Sequence, residues 1–249
     1  MNRIYWDLDK ISMLTDHLDA VSHSHCMIQF FLGLEDNLEI KVAGKKLICQ
    51  GIIVNKNVKH SFQTNKKLHF TCLFEPVSEI ALQMNYLLQD KNYYILNEIV
   101  VEQLKKASLN MLITFDSNTY QMFMEKLYKY CGLKFEKKEC DERIMELIGL
   151  LERCDCEDHM IEKYASELAI SSSRLSHLFR EQIGIPIKNY LTLHQLERAF
   201  MDLLAGQKIS DAAMNAGFDS PSHFAATVKR MMGVPARSTM KYSEFLKVY

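Results

Sequence analysis

Two short stretches in the last third of the sequence set hydroxyl, imidazole and cationic side chains at helical spacing. The first holds Ser171, Ser173, Arg174, Ser176, His177 and Arg180; the second holds Ser220, Ser222, His223, Ala225, Lys229 and Arg230. Small polar groups and imidazoles at the start of a helix can exchange hydrogen bonds with the edges of bases, and cations further along can neutralise phosphates. That chemistry requires each stretch to be the outer face of a helix whose other face is buried. The residues around them have to supply that burial.

In the first stretch, Ile161, Tyr164, Ala165 and Leu168 follow a helical period, and small Ala165 permits close approach of a second helix. Ser171 suits the N-cap of that second helix, with Leu175, Leu178 and Phe179 as its buried side. Ser173, Arg174, Ser176, His177 and Arg180 are left on the exposed side, where residues near the start of the helix can reach base edges and Arg180 at the far end lies nearer phosphate. A solvated face on an ordinary helix would have the same composition, but the pattern recurs. Ile209, Ala212, Ala213 and Ala216 make another first helix, Gly217-Phe218 the break, Asp219 or Ser220 the cap, and Pro221 suits the first turn. Phe224 and Val228 are the buried side, leaving Ser222, His223, Ala225, Ala226, Lys229 and Arg230 outside. Between the copies, Ile187 to Leu204 keeps a continuous helical pattern through Tyr190, Leu191, Leu196, Ala199, Leu203 and Leu204. Its length of roughly 27 Å approaches the separation of about 34 Å between successive major-groove segments on one face of DNA. One chain can therefore address two adjacent grooves.

These residues resemble the AraC/XylS family of bacterial transcription regulators. The resemblance lies in Ser171-Ser172-Ser173-Arg174-Leu175-Ser176-His177-Leu178-Phe179-Arg180, in Ile183-Gly184-Ile185-Pro186 with Tyr190-Leu191, and in Leu196-Glu197-Arg198-Ala199 with Leu203-Leu204. Its most specific part is Ile209-Ser210-Asp211-Ala212-Ala213 leading to Ala216-Gly217-Phe218-Asp219-Ser220-Pro221-Ser222-His223-Phe224, and it extends over Asp141 to Met240. The resemblance implies double-stranded promoter DNA and RNA polymerase as partners and activation of transcription. It puts base readout on Ser173, Ser176 and His177, and on Ser222, His223 and Ala225 in the second copy. Three departures stand out. Ala169 replaces a frequent turn glycine and is expected to stay helical, Ala226 replaces a base-reading arginine, and Thr239-Met240 replaces a frequent Tyr-Arg pair. Without the arginine, the second copy should mainly anchor phosphate through Lys229 and Arg230.

From His23 to about Glu75 the sequence reads as short strands: Met27 to Phe31, Leu38 to Val42, Lys46 to Cys49, Ile52 to Val54 and His69 to Phe74, with turns at Ala43-Gly44-Lys45 and Gln50-Gly51. A small antiparallel barrel or sandwich follows, and regulators of the resembled family commonly carry a cupin-like barrel there. His23-Ser24-His25, Gln29, Gly51 and His60 resemble the two short histidine motifs of cupins. Gln29 stands where glutamate is usual and the customary proline near Asn57 is missing, so no metal and no cofactor are expected. His25 and His60 are instead expected to face the interior and touch a small organic effector of unknown identity. Cys154-Asp155-Cys156 with His159 and Cys140 reads as packed free thiols rather than a redox or metal sensor.

After Pro76 the period becomes helical. Ile80, Met84, Leu87 and Leu88 form one stripe, Ile99, Leu104 and Leu109 suggest another, and a third helix covers Asn118 to Tyr130. The first stripe and the helix with Met122, Phe123, Met124, Leu127 and Tyr128 offer a homodimer surface, or else pack within the chain. The chain has 249 residues and a formal net charge of -1, with 11 basic and 9 acidic residues from Asp158 onward against 19 and 22 before it. No apolar run or N-terminal leader pattern points to a membrane, and seven cysteines without framework spacing suit a reducing compartment, so a cytoplasmic protein is expected. The resulting expectation is an α+β protein: a small cupin-like β-barrel over 1–76, a helical dimerisation and linker region over 77–138, and an all-α DNA-binding domain with two helix-turn-helix motifs over 139–249. The function expected is sequence-specific DNA binding controlled by a small molecule. The alternatives are a metal-dependent cupin enzyme fused to a DNA-binding module and a regulator without ligand.

Overall fold

The computed structural model describes residues 2–16, 19–76, 78–134, 141–153, 161–183, 185–232, 235–236 and 243–249. Seven strands form one sheet: β1 (Asn2–Trp6), β2 (Lys10–Thr15), β4 (Ile28–Gly33), β7 (Gly51–Val54), β9 (His69–Phe74), β10 (Tyr93–Ile95) and β11 (Glu244–Lys247), in the order β10-β7-β4-β9-β2-β1-β11. A second sheet has the order β3-β8-β5-β6, from β3 (Ala20–His23), β5 (Leu38–Val42), β6 (Lys45–Cys49) and β8 (His60–Gln63). Of the barrel or sandwich expected from the sequence, the described residues form two separate sheets and no closed barrel. The chain changes sheet at Gln50-Gly51, between β6 and β7. A Cβ on Gly51 would meet Leu96 Cδ1 at 2.6 Å, so glycine lets the Leu96 side chain close over the crossing without shifting.

Both faces of β4 are buried, and alternation along the strand sends its residues to two different cores. Ile28, Phe30 and Leu32 enter a core shared with helices, whereas Phe31 meets Phe62 of β8, ring centroids 4.8 Å apart. β9 does the same: Phe70 packs on Phe123 at 4.8 Å, while Thr71 points the other way toward Gln29. The helices on the first face are α1 (Glu79–Leu88), α2 (Glu98–Ile113) and α3 (Ser117–Tyr130). Asn97 and Asp116 start α2 and α3 by accepting hydrogen bonds from Val100 N and Thr119 N, both at 2.9 Å. Ile80, Met84, Leu88, Phe123, Met124, Leu127 and Tyr128 are buried in this core, so the stripe offered as a dimer surface packs within the chain.

The parallel pairing of β11 with β1 was not expected. Arg3 to Trp6 align with Glu244 to Lys247, Val248 N donates to Trp6 O at 3.0 Å, and Val248 O accepts from Gln121 Nε2 at 2.9 Å. The remaining helices are α4 (Glu142–Arg153), α5 (Ile161–Glu167), α6 (Ser172–Ile183), α7 (Ile187–Leu204), α8 (Ile209–Asn215) and α9 (Pro221–Met232). One compact unit comprises Met1–Pro76, Ile80–Phe135 and Ala225–Tyr249; the other comprises Val77–Glu79 and Glu136–Phe224. No helix among the described residues is long and apolar enough to cross a membrane.

Candidate functional site

Both helix-turn-helix copies form, and both turn in the same way. At the end of α5, Ala169 N donates to Ser166 O and Ile170 N to Ala165 O, at 3.1 and 3.0 Å. At the end of α8, Gly217 N donates to Met214 O and Phe218 N to Ala213 O, at 2.9 and 3.0 Å. This pair of bonds closes a helix around one left-handed residue. Gly217 has φ 82° and Ala169 φ 53°. The expectation that Ala169 stays helical is therefore corrected: the reversal of the chain requires a positive φ there, and alanine adopts it.

The next helix in each copy is capped by a serine. Arg174 N donates to Ser171 Oγ at 3.2 Å and His223 N to Ser220 Oγ at 3.1 Å, so Ser220 rather than Asp219 caps α9. Ser171 and Ser220, read from the sequence as DNA contacts, have their hydroxyls engaged in starting the helices. Leu175, Leu178 and Phe179 are buried under α6, and Phe224 and Val228 under α9. Ser173, Arg174, His177 and Arg180 are exposed with Ser176 half-buried; Ser222, His223, Ala225, Ala226, Lys229 and Arg230 are exposed. Each exposed histidine has an acid one turn on or back, His177 Nδ1 at 3.8 Å from Glu181 Oε2 and His223 Nδ1 at 3.0 Å from Asp219 Oδ2. Their spacing of four residues would have shown both pairs in the sequence. The Thr239-Met240 pair lies outside the described residues.

The long helix between the copies holds the second one by its end. Gln195 Nε2 donates to Gly217 O and Arg198 Nη2 to Asn215 O, each at 3.0 Å, which satisfies carbonyls at the end of α8. The apolar pattern of α7 did not reveal His194 and Glu197, which are buried 3.7 Å apart, His194 Nε2 donating to Leu151 O at 3.1 Å.

A second cluster lies between the two sheets. His23 and His60 are register partners on β3 and β8, His25 follows β3, and Gln29 reaches them from β4. One potential ligand atom from each histidine lies within 4.8 Å of the others. His25 Nε2 is 2.8 Å and His60 Nε2 3.1 Å from Gln29 Oε1, with His25, His60 and Gln29 almost fully buried. Burial pushes the His25 imidazole down to about 4 and His60 down to about 3, and lowers His23, so the rings are neutral near pH 7. A separate groove of about 500 Å³ opens on the four-stranded sheet, lined by Val21, Ile40, Lys46, Ile48 and Phe62 among others but by neither His25 nor His60. Cys26, Cys49, Cys72 and Cys131 are free thiols, and burial pushes Cys49 up to about 11 and Cys131 up to about 12. Cys140, Cys154, Cys156 and His159 lie outside the described residues.

A family model described as a helix-turn-helix domain matches residues 164–242. The transcriptional regulator MxiE of Shigella flexneri is 21% identical over 199 residues, covering 78% of this chain and 90% of that protein. An uncharacterized HTH-type transcriptional regulator of Staphylococcus aureus is 28% identical over 92 residues, 36% of this chain and 12% of that protein. A solved structure of ToxT from Vibrio cholerae strain SCE256 overlaps with a TM-score of 0.48 and 13% identity, covering 94% of this chain and 97% of that one. The matched residues are those that build the two turns, the two capped helices and the linker between them. Residues 164–242 thus form an AraC-type helix-turn-helix DNA-binding domain, and the relatives to which the chain is similar are transcription regulators.

Proposed function

We propose that this protein is a sequence-specific transcriptional activator that binds promoter DNA as a homodimer in the cytoplasm, recruits RNA polymerase, and is controlled by a small effector in its N-terminal part. The observation that supports it most is the repetition of one turn and one serine cap in front of two exposed polar helix faces. In this reading Ser173, Ser176 and His177 read base edges, Ser222, His223 and Ala225 line the second groove, and Arg174, Arg180, Lys229 and Arg230 hold phosphates. Ser171 and Ser220 act through the helix starts that they cap. The parts are divided as 1–76 for sensing, 77–138 for dimerisation and linkage, and 139–249 for DNA, with the exception that β11 (Glu244–Lys247) belongs to the sheet of the first part. Since the inner faces of α1 and α3 are buried, dimerisation falls to outer residues such as Tyr86, Ile99, Leu109 and Ile113, all exposed.

The effector is taken at His25 and His60, and it acts only through different affinities for two states of the protein. Transcription in vitro tests the reading. With purified RNA polymerase and a promoter that the protein binds, added protein raises transcript yield and the His177→Ala variant does not. A fall in transcript on adding the wild-type chain would mean repression.

A further inference from the structure

We propose that His23, His25, His60 and Gln29 together hold one divalent transition-metal ion between the two sheets. This revises the expectation of histidines without a metal. It shares His25 and His60 with the proposed sensing site, and rests on that reading only for its regulatory consequence.

One nitrogen of each ring is fixed by the backbone. His23 Nδ1 lies 2.7 Å from Val21 O, His25 Nδ1 3.1 Å from Met27 O, and His60 Nδ1 2.8 Å from Val58 O. A carbonyl oxygen only accepts, so each Nδ1 carries the proton, and in a neutral ring Nε2 is left with a lone pair. Three lone pairs are thereby committed by three backbone carbonyls.

The orientation of Gln29 is fixed as well. Thr71 Oγ1 donates its one proton to Phe30 O at 3.0 Å and so must accept from Gln29 Nε2 at 3.0 Å. That aims Gln29 Oε1 at both His25 Nε2 and His60 Nε2. Reversing the amide would leave Phe30 O and Gln29 Oε1 competing for one threonine proton. As built, an amide oxygen and two imidazole lone pairs meet at hydrogen-bond distance with no proton among them. Buried acceptors left so are destabilising, and a cation among them supplies the missing partner.

The donor set selects the cation. Imidazole nitrogens suit zinc, nickel, copper or iron(II), whereas calcium and magnesium favour all-oxygen cages. A backbone carbonyl holding the far N–H of each ring is the usual support of a metal-binding histidine. Metal–nitrogen bonds of about 2.0–2.1 Å require the ligand atoms to draw closer than the 4.8 Å that spans them. His23 is half-buried, unlike His25 and His60, so of the three rings it has the most room to shift.

Titration of the untagged full chain with Co2+, followed by its visible ligand-field absorption, tests the proposal, with Zn2+ added in competition. One ion per chain is expected, and His23→Ala and His60→Gln weaken binding by about 100-fold or more, a loss at least as large as that for a supporting residue. Gln29→Glu adds an anionic oxygen and is expected to tighten binding, which a packing role would not produce. Circular dichroism confirms that each variant is folded. An absence of saturable Co2+ binding by the wild type, or binding unchanged by His23→Ala and Gln29→Glu, overturns the proposal. DNA affinity measured with and without Co2+ tests the regulatory reading apart from it: bound metal with unchanged DNA affinity keeps the site and removes its part in sensing.

Discussion

Ala169 and Gly217 hold the same left-handed position in the two copies, with φ of 53° and 82°. Glycine adopts this conformation freely, while a Cβ there costs roughly 1–2 kcal/mol. Ala169→Gly removes that strain but loosens the unfolded chain, so the net gain expected is about 0.5–1 kcal/mol. Gly217→Ala should lose a similar amount. Urea unfolding followed by helical circular dichroism checks both, and destabilisation by Ala169→Gly would show that alanine is unstrained there.

The two recognition helices are expected to divide the work. His177→Ala should cost about 1–3 kcal/mol on the cognate sequence and much less on random DNA. Lys229→Ala should weaken both alike and reduce the salt slope by about 1. Competition binding with cognate and scrambled duplexes measures the difference, and equal losses on both sequences for His177→Ala would remove its role in readout.

Ala226 is exposed on α9 beside Ala225, so this face has space for a longer side chain. Ala226→Arg is expected to raise DNA affinity several-fold and to steepen the salt dependence by about one ion. A titration of the variant at several salt concentrations checks this; unchanged affinity would mean that position 226 faces away from DNA.

The C-terminal strand closes an edge of the larger sheet. Truncation after Ser243 removes β11, the buried Val248 and its bonds with Trp6 and Gln121. The amides of β1 should then exchange with solvent about 10-fold or more faster, since a lost hydrogen-bonded edge costs at least about 1 kcal/mol. Hydrogen exchange read by mass spectrometry follows β1 directly, and unchanged protection there would show that β11 contributes no support.

The helices were legible because their apolar residues recur at a helical period: Ile187 to Leu204 is α7 to the residue. Strands β4, β5, β6, β7 and β9 were visible as β-branched and aromatic runs. β2 was missed because Lys10 and Ser12 interrupt it, and only the structure shows Lys10 Nζ held by Asp7 and Asp9 at 2.8 and 2.7 Å. β11 depends on a partner more than two hundred residues away, which no local pattern reveals. The exposed faces of α6 and α9 could be read from their buried sides, whereas the capping roles of Ser171 and Ser220 needed donor positions. The histidines were visible as types, but the carbonyls that orient them and Thr71 behind Gln29 were not.

In the proposed function, the two helix-turn-helix copies of this chain bind DNA through phosphates and base edges. Fluorescence anisotropy with a duplex carrying the promoter of its own operon, at several salt concentrations, tests it most directly. Saturable binding whose affinity falls linearly on a log–log plot against salt, and exceeds that for a scrambled duplex, is the predicted result. Absent binding, or binding that does not change with salt, would contradict it.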